Sequence, residues 1–418
     1  MDSMLVRGGK KLSGVVSASG SKNSALPILF SSLLAEGTHK FTNVPELMDI
    51  GSTAKLLELL GGKVKRSGND MEVTYGATCE TVADYDVVRK MRASILCLGP
   101  LLARFGEAKV SLPGGCAIGT RPIDLHLEAM RLLGAEIEIS AGYVHAKAER
   151  LQGAEILFET TTVGGTENAM MAAALANGIT KIENAAKEPE IVDLADYLNK
   201  MGAKVSGAGT SIITIEGVEK LAAAEHSIIP DRIEAGTLLI AGAITGGQVT
   251  VNKCQPQDLS ALVEKMREAG FSVSQEADSL TVHECEGWVG VDITTAPHPG
   301  FPTDLQAQFM ALMTQSKGTS VVSESIFENR FMHVNELMRM GADITPKTRV
   351  AVVRGNRDSL EGAPVMATDL RASACLILAG LVSRGETRVN RIYHLDRGYE
   401  SLEKKLASLG ADIERVKG

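Results

Sequence analysis

The stretch Leu112-Pro113-Gly114-Gly115-Cys116-Ala117-Ile118-Gly119-Thr120-Arg121-Pro122 puts a thiol and a guanidinium on one short segment. Three glycines and two prolines in eleven residues exclude a regular helix or a central strand, so the segment reads as a loop able to close over a ligand. A cation near a thiol favours the thiolate and lowers its pKa. Cys116 is therefore either an exposed residue of a plain turn or a reactive group carried on a closing loop. No Gly-Lys-Ser/Thr follows, which excludes the lysine-bearing phosphate loop.

Around this loop the sequence repeats. A leucine, methionine or alanine followed by glycine, and in most copies by Ala-x-Val/Ile, has its first glycine at 61, 134, 202, 270, 341 and 410, at intervals of 73, 68, 68, 71 and 69. A second phrase, an apolar helix ending at a glycine before a strand, has glycines at 37, 106, 178, 246, 318 and 385. Both phrases count six units of about 70 residues, the size of a small α/β unit. Each unit predicts a helix apolar nearly all round, such as 24–35 or 372–383, which must be buried. A capping glycine and a short strand such as 38–43 or 387–389 come next, then an amphipathic helix and further strands. The sixth unit stops after residue 416, and residues 5–8 and 12–18 parallel residues 352–355 and 360–367. Residues 1–21 are thus expected to complete the last repeat. Two α/β domains of three repeats follow: 22–229, carrying the cysteine loop, and 230–418 together with 1–21. A ligand between them would close a hinge.

The repeat phase locates further candidates. Fourteen residues before each capping glycine lie Asn23 (beside Lys22), Arg92, Gly164, Arg232, Asp304 and Arg371. These are the expected starts of the buried helices, where partial positive charge and unsatisfied N–H donors favour an anion. Cations there oppose helix stability, so Lys22, Arg92, Arg232 and Arg371 point to a bound anion. Thr162-Val163-Gly164 can offer backbone N–H groups to a diphosphate. Asp304, alone among cations, stays ionised and is either a general base or a helix cap.

Composition narrows the class. In 418 residues, 44% are hydrophobic and 22% charged, which describes a globular enzyme-sized chain of two or three domains. Aromatics at 4% and a net charge of -8 argue against nucleic acid and anionic membrane as partners. No signal-peptide pattern or membrane-length apolar run is present, and the six cysteines lack metal spacing, which predicts free thiols and a cytoplasmic location. His298, His394 and Trp288 read as positioning or packing residues.

The six repeats, Lys22-Asn23, the Pro-Gly-Gly-Cys loop, Phe301-Pro302-Thr303-Asp304, Glu328-Asn329-Arg330-Phe331, Asp369-Leu370-Arg371 and Tyr393-His394-Leu395-Asp396-Arg397-Gly398-Tyr399 together resemble the enolpyruvyl transferase family. The likeness is to those members acting on UDP-N-acetylglucosamine, and it runs along essentially the whole chain. It implies a two-domain inside-out α/β barrel, three repeats per domain, with helices inside and sheets outside. It also implies transfer of the enolpyruvyl group of phosphoenolpyruvate to the sugar 3-hydroxyl, with phosphate released and no cofactor, as the first committed step of peptidoglycan synthesis.

By the same resemblance Cys116 protonates the phosphoenolpyruvate methylene and is the residue fosfomycin alkylates, while Asp304 takes the hydroxyl proton. Lys22, Arg92, Arg121 and Arg397 would clamp phosphoenolpyruvate, with Asp369 and Arg371 in a neighbouring binding motif. Asn23 and Asp304 would touch the sugar, and Arg121, Pro122, Ile123, Asp124 and Leu125 would line the uridine pocket. Thr162, Val163 and Gly164 would meet the diphosphate, with Ile326 and Arg330 nearby. Thr160 and Met48 stand where relatives often carry lysine, which bears on ionic contacts at those two edges. Two other readings stay open: transfer to shikimate 3-phosphate, which needs no loop cysteine, and a silent UDP-sugar-binding paralogue.

Overall fold

The computed structural model describes residues 2–88, 91–112 and 123–418. The described residues of 20–229 form one compact unit, and those of 2–19 with 230–418 form a second. Each unit holds three buried helices. In the first these are α1 (Lys22–Ser31), α2 (Leu98–Phe105) and α3 (Val163–Ala173). In the second they are α4 (Arg232–Ile244), α5 (Gln306–Thr314) and α6 (Leu370–Gly380). Helix α4 is buried without interruption from Ile233 to Ile244, and α5 along its whole length. Such helices are held by packing on all sides rather than by one apolar stripe.

Helices α4, α5 and α6 pack on one another, and α3 packs on α1 and α2. Gly99 permits one close approach: a Cβ there would stand 2.4 Å from Asn168 Oδ1. Its N–H donates to that oxygen at 2.8 Å, so a hydrogen bond occupies the space of a side chain. The amphipathic helices Met48–Leu59, Pro189–Lys200 and Met332–Arg339 turn their apolar faces onto the central ones.

Outside the helices each unit has three four-stranded sheets built to one plan. An edge strand runs parallel to its neighbour, and the other two pairings are antiparallel. All twelve repeat glycines have left-handed backbone, with φ from 67 to 113°. The repeat phrase is thus a backbone requirement: only glycine adopts this region without steric cost.

The two N-terminal strands join different sheets. Ser3–Arg7 lies between Glu386–Asn390 and Asp412–Val416, antiparallel to both, and supplies the missing strand of the sixth sheet. Ser13–Ser17 does not join that sheet. It runs parallel to Gln248–Asn252 as the edge strand of the fourth, with Val15 opposite Thr250. Glu225–Ser227 pairs with Gly37–Thr42 in the same way. Each sheet takes its edge strand from the repeat before it, so the first sheet of each unit must borrow from the end of the third repeat. Trp288 is packing, as expected: it is buried against Phe271, and its indole N–H donates to Leu312 O at 3.1 Å.

Candidate active site

The counted helix starts fall within a residue of the observed ones. Lys22 opens α1, Arg92 opens the 3-10 turn Arg92–Cys97 before α2, and Val163 opens α3. Arg232 opens α4, Asp304 sits inside the 3-10 turn Thr303–Leu305 before α5, and Leu370 opens α6. At four of these ends one or two of the N–H donors are already taken. Ser21, Thr162, Asp231 and Asp369 cap α1, α3, α4 and α6 by accepting from first-turn N–H groups. A short polar side chain before an apolar run is itself the sequence signal for such a cap.

In the first unit Lys22 Nζ lies 3.3 Å from Asp49 Oδ2, both side chains being nearly buried. The lysine thus has a carboxylate partner that the sequence reading missed. Asn23, half-buried, follows it. The next residue, Ser24, donates its hydroxyl to Asp193, whose other oxygen meets His226 Nε2 at 2.8 Å. Ile229 N–H also donates to Asp193, at 3.3 Å. This buried carboxylate fixes the first turn of α1.

Arg92 and Gly164 share a neighbour, His126. Burial, with a smaller contribution from Arg92, lowers its pKa to about 4, so it is neutral at physiological pH. Its Nδ1 lies 3.1 Å from Asn168 Nδ2, and a Cβ on Gly164 would stand 3.1 Å from its Cε1. Of the expected uridine residues, Ile123 is buried, Asp124 begins the helix Asp124–Leu132 and is exposed, and Leu125 is half-buried. Cys116, Arg121 and Pro122 lie outside the described residues.

The second unit gathers Asp304, Arg330, Arg371 and Asp369. Arg330 Nη2 donates to Asp304 Oδ1 and Arg371 Nη2 to Oδ2, each at 2.8 Å. Asp304 is not a helix cap. Its side chain keeps 26% of its surface exposed, whereas those of the two arginines keep 5% and 4%. Burial pushes the Asp304 carboxyl upward, yet the two guanidiniums outweigh it and hold the group well below the usual carboxylate range. Arg371 Nε and Nη1 and Arg330 Nη1 have no hydrogen-bond partner among the described residues. Buried donors of this kind suit an anion.

The guanidinium of Arg371 also lies over the Tyr399 ring, 5.3 Å from its centroid. The Tyr399 hydroxyl is held by Gln308 at 3.0 Å and Thr237 at 2.9 Å. Ile326 is half-buried, its N–H donated to Glu324. Arg397 ends the 3-10 turn Ile392–Arg397, which packs on α6. Glu324 and Tyr399 were missed as site residues, and only the run of motif residues around them hinted at their place. Among the described residues no group of three or more His, Cys, Asp or Glu is placed to hold a metal, and no helix is long and apolar enough to cross a membrane.

Three central helices and three four-stranded sheets in each unit give the architecture of an inside-out α/β protein built from repeats. Comparison with known proteins agrees. A family model described as EPSP synthase (3-phosphoshikimate 1-carboxyvinyltransferase) matches residues 6–406. The chain is 68% identical over 413 residues to the UDP-N-acetylglucosamine 1-carboxyvinyltransferase of Bdellovibrio bacteriovorus, covering 99% of this chain and 100% of that protein. It is 57% identical over 420 residues to the protein of the same name in Myxococcus xanthus, covering 100% of both. Among solved structures, the enolpyruvyl transferase NikO from Streptomyces tendae superposes with a TM-score of 0.90 at 26% identity, over 100% of this chain and 99% of that one. An EPSP synthase from Acinetobacter baumannii shares the fold with a TM-score of 0.77 at 18% identity, over 100% of each chain. The chain belongs to the enolpyruvyl (1-carboxyvinyl) transferase family.

Proposed function

We propose that this chain transfers the enolpyruvyl group of phosphoenolpyruvate to the 3-hydroxyl of UDP-N-acetylglucosamine and releases phosphate. The relatives that match it end to end carry the name of that reaction. In the cell this is the committed step toward peptidoglycan, carried out in the cytoplasm and serving wall growth, cell shape and division.

The reaction is an addition followed by an elimination. A proton is added to C3 of phosphoenolpyruvate while the sugar oxygen bonds to C2 and gives up its own proton. Loss of phosphate from C2 and of a proton from C3 then restores the double bond. An acid and a base are needed on opposite sides of the new bond, and Cys116 and Asp304 take these roles. Cys116 is also where fosfomycin attaches. Lys22, Arg92, Arg121 and Arg397 hold the phosphate and carboxylate of phosphoenolpyruvate. Thr162, Val163 and Gly164 receive the diphosphate, and 121–125 the uridine.

The observation that carries this reading is the group around Asp304. Three buried guanidinium nitrogens, Arg371 Nε and Nη1 and Arg330 Nη1, stand beside it without acceptors among the described residues. A substrate anion that engages Arg371 draws charge from the Asp304 contact, which makes the carboxylate a better base as the substrate arrives. Phosphate release, followed with phosphoenolpyruvate and either UDP-N-acetylglucosamine or shikimate 3-phosphate, tests it. Release with the nucleotide sugar alone is expected. Release with shikimate 3-phosphate alone would assign the sister reaction, and none with either would leave a UDP-sugar-binding protein.

A further inference from the structure

Glu324 is 2% exposed and stands directly after the strand Gly318–Ser323. Among the described residues its carboxylate accepts four hydrogen bonds, from neutral donors on three segments. Oε1 accepts from Thr295 Oγ1 at 2.8 Å, Ile326 N–H at 2.9 Å and Phe327 N–H at 3.2 Å. Oε2 accepts from Thr303 Oγ1 at 2.8 Å. Thr303 is the residue before Asp304. Phe327 lies under the Arg330 guanidinium, 5.1 Å from ring centroid to Cζ. The carboxylate thus ties together the two segments whose side chains meet as Asp304 and Arg330. Thr295 doubles the tie, since its hydroxyl accepts from Ser325 N–H at 2.9 Å.

A buried carboxylate is costly unless every lone pair is used, and a hydrophobic packing residue would hold a loop more cheaply. What a carboxylate adds is direction: two oxygens fix the turn before α5 and the loop 325–331 to one another. From this geometry we infer that Glu324 is a positioning residue for the proton-accepting carboxylate. Through Thr303 it sets where Asp304 stands, and through Ile326 and Phe327 it sets where Arg330 meets it. The inference rests on the transfer reaction proposed above and adds a residue that never touches substrate.

Three variants test it. Thr303→Val removes one leg and keeps the side chain's shape. It is expected to lower kcat on the order of 10-fold to 100-fold, with KM for the nucleotide sugar within about twofold of the parent. Glu324→Ala removes both legs and is expected to lower kcat and raise that KM together. Glu324→Gln recovers most of the activity, because its carbonyl replaces Oε1 and its amide donates to the Thr303 hydroxyl. A lower melting temperature with unchanged kcat in Thr303→Val would make Glu324 mere scaffold and overturn the inference. So would a Glu324→Gln enzyme as poor as Glu324→Ala. Should Glu324→Ala fail to fold, Thr303→Val decides alone. If the parent itself releases no phosphate, the transfer reading falls separately. Crystal structures of the variants then decide: the 2.8 Å contact between Arg330 and Asp304 must be kept in Glu324→Gln and lost in Thr303→Val.

Discussion

Asp304 and Arg371 meet at 2.8 Å, and the arginine has no other hydrogen-bonded side chain to neutralise it among the described residues. The carboxylate, shared with Arg330, is therefore part of the fold as well as of the proposed chemistry. Asp304→Asn should abolish transfer and also destabilise the unit by about 3 kcal/mol, because two buried cations lose their counter-charge. The pH dependence has a definite sign. A carboxylate held below its unfolded pKa contributes fully above that value of about 3.9 and loses its contribution only as the pH falls further. The melting-temperature difference between parent and Asp304→Asn should thus be constant from pH 8 to pH 5. A difference that shrinks across that range would mean that Asp304 titrates there.

Glu167, on α3, has the opposite sign. Burial, with the charges of Glu190 and Glu188, raises its pKa well above that of a free glutamate. The unfolded chain loses this proton more readily, so stability falls as the pH rises past the unfolded value of about 4.3. Glu167→Gln should raise the melting temperature at pH 8, and the gain should fade toward pH 4.5. Thermal melts across that range check it.

Gly20 owes its identity to a close backbone approach. A Cβ there would stand 1.7 Å from the carbonyl oxygen of Asn43. Gly20→Ala should cost about 1–3 kcal/mol, since backbone must move. Gly51, within Met48–Leu59 with nothing near its missing Cβ, is the control. Gly51→Ala should stabilise by about 0.5–1 kcal/mol. Denaturant unfolding of both variants gives the contrast.

Gly164→Ala probes the proposed diphosphate contact. Its methyl group would crowd His126 at 3.1 Å and cover the start of α3. KM for the nucleotide sugar should rise about 5-fold to 10-fold while KM for phosphoenolpyruvate changes less than about twofold. Equal effects on both would place the diphosphate elsewhere.

Much of this was legible in the sequence, for reasons that differ by residue. The twelve repeat glycines were readable because positive φ leaves few alternatives, and every one of them has it. Leu26, Leu239 and Leu376 were readable as core because their helices have no polar face. The partners of the helix-start cations were not readable. Asp49 reaches Lys22 from another helix, and Asp304 reaches Arg371 across 67 positions. A cation without a nearby carboxylate in sequence therefore read as calling for a ligand, when the fold supplies part of the charge. The place of Ser13–Ser17 was lost for a related reason, since nothing local in an edge strand names the sheet it joins. Glu324 escaped notice because its importance lies in four donors from three separate segments.

Transfer as proposed is addition and elimination at phosphoenolpyruvate with the sugar hydroxyl as acceptor. Its most direct test is to run the reaction in D2O and examine the nucleotide-sugar product by proton NMR. A new vinyl group linked through the sugar 3-oxygen and carrying deuterium is expected, because C3 passes through a methyl stage before a hydrogen leaves again. A product whose vinyl hydrogens are wholly protium, or no vinyl ether at all, would contradict it.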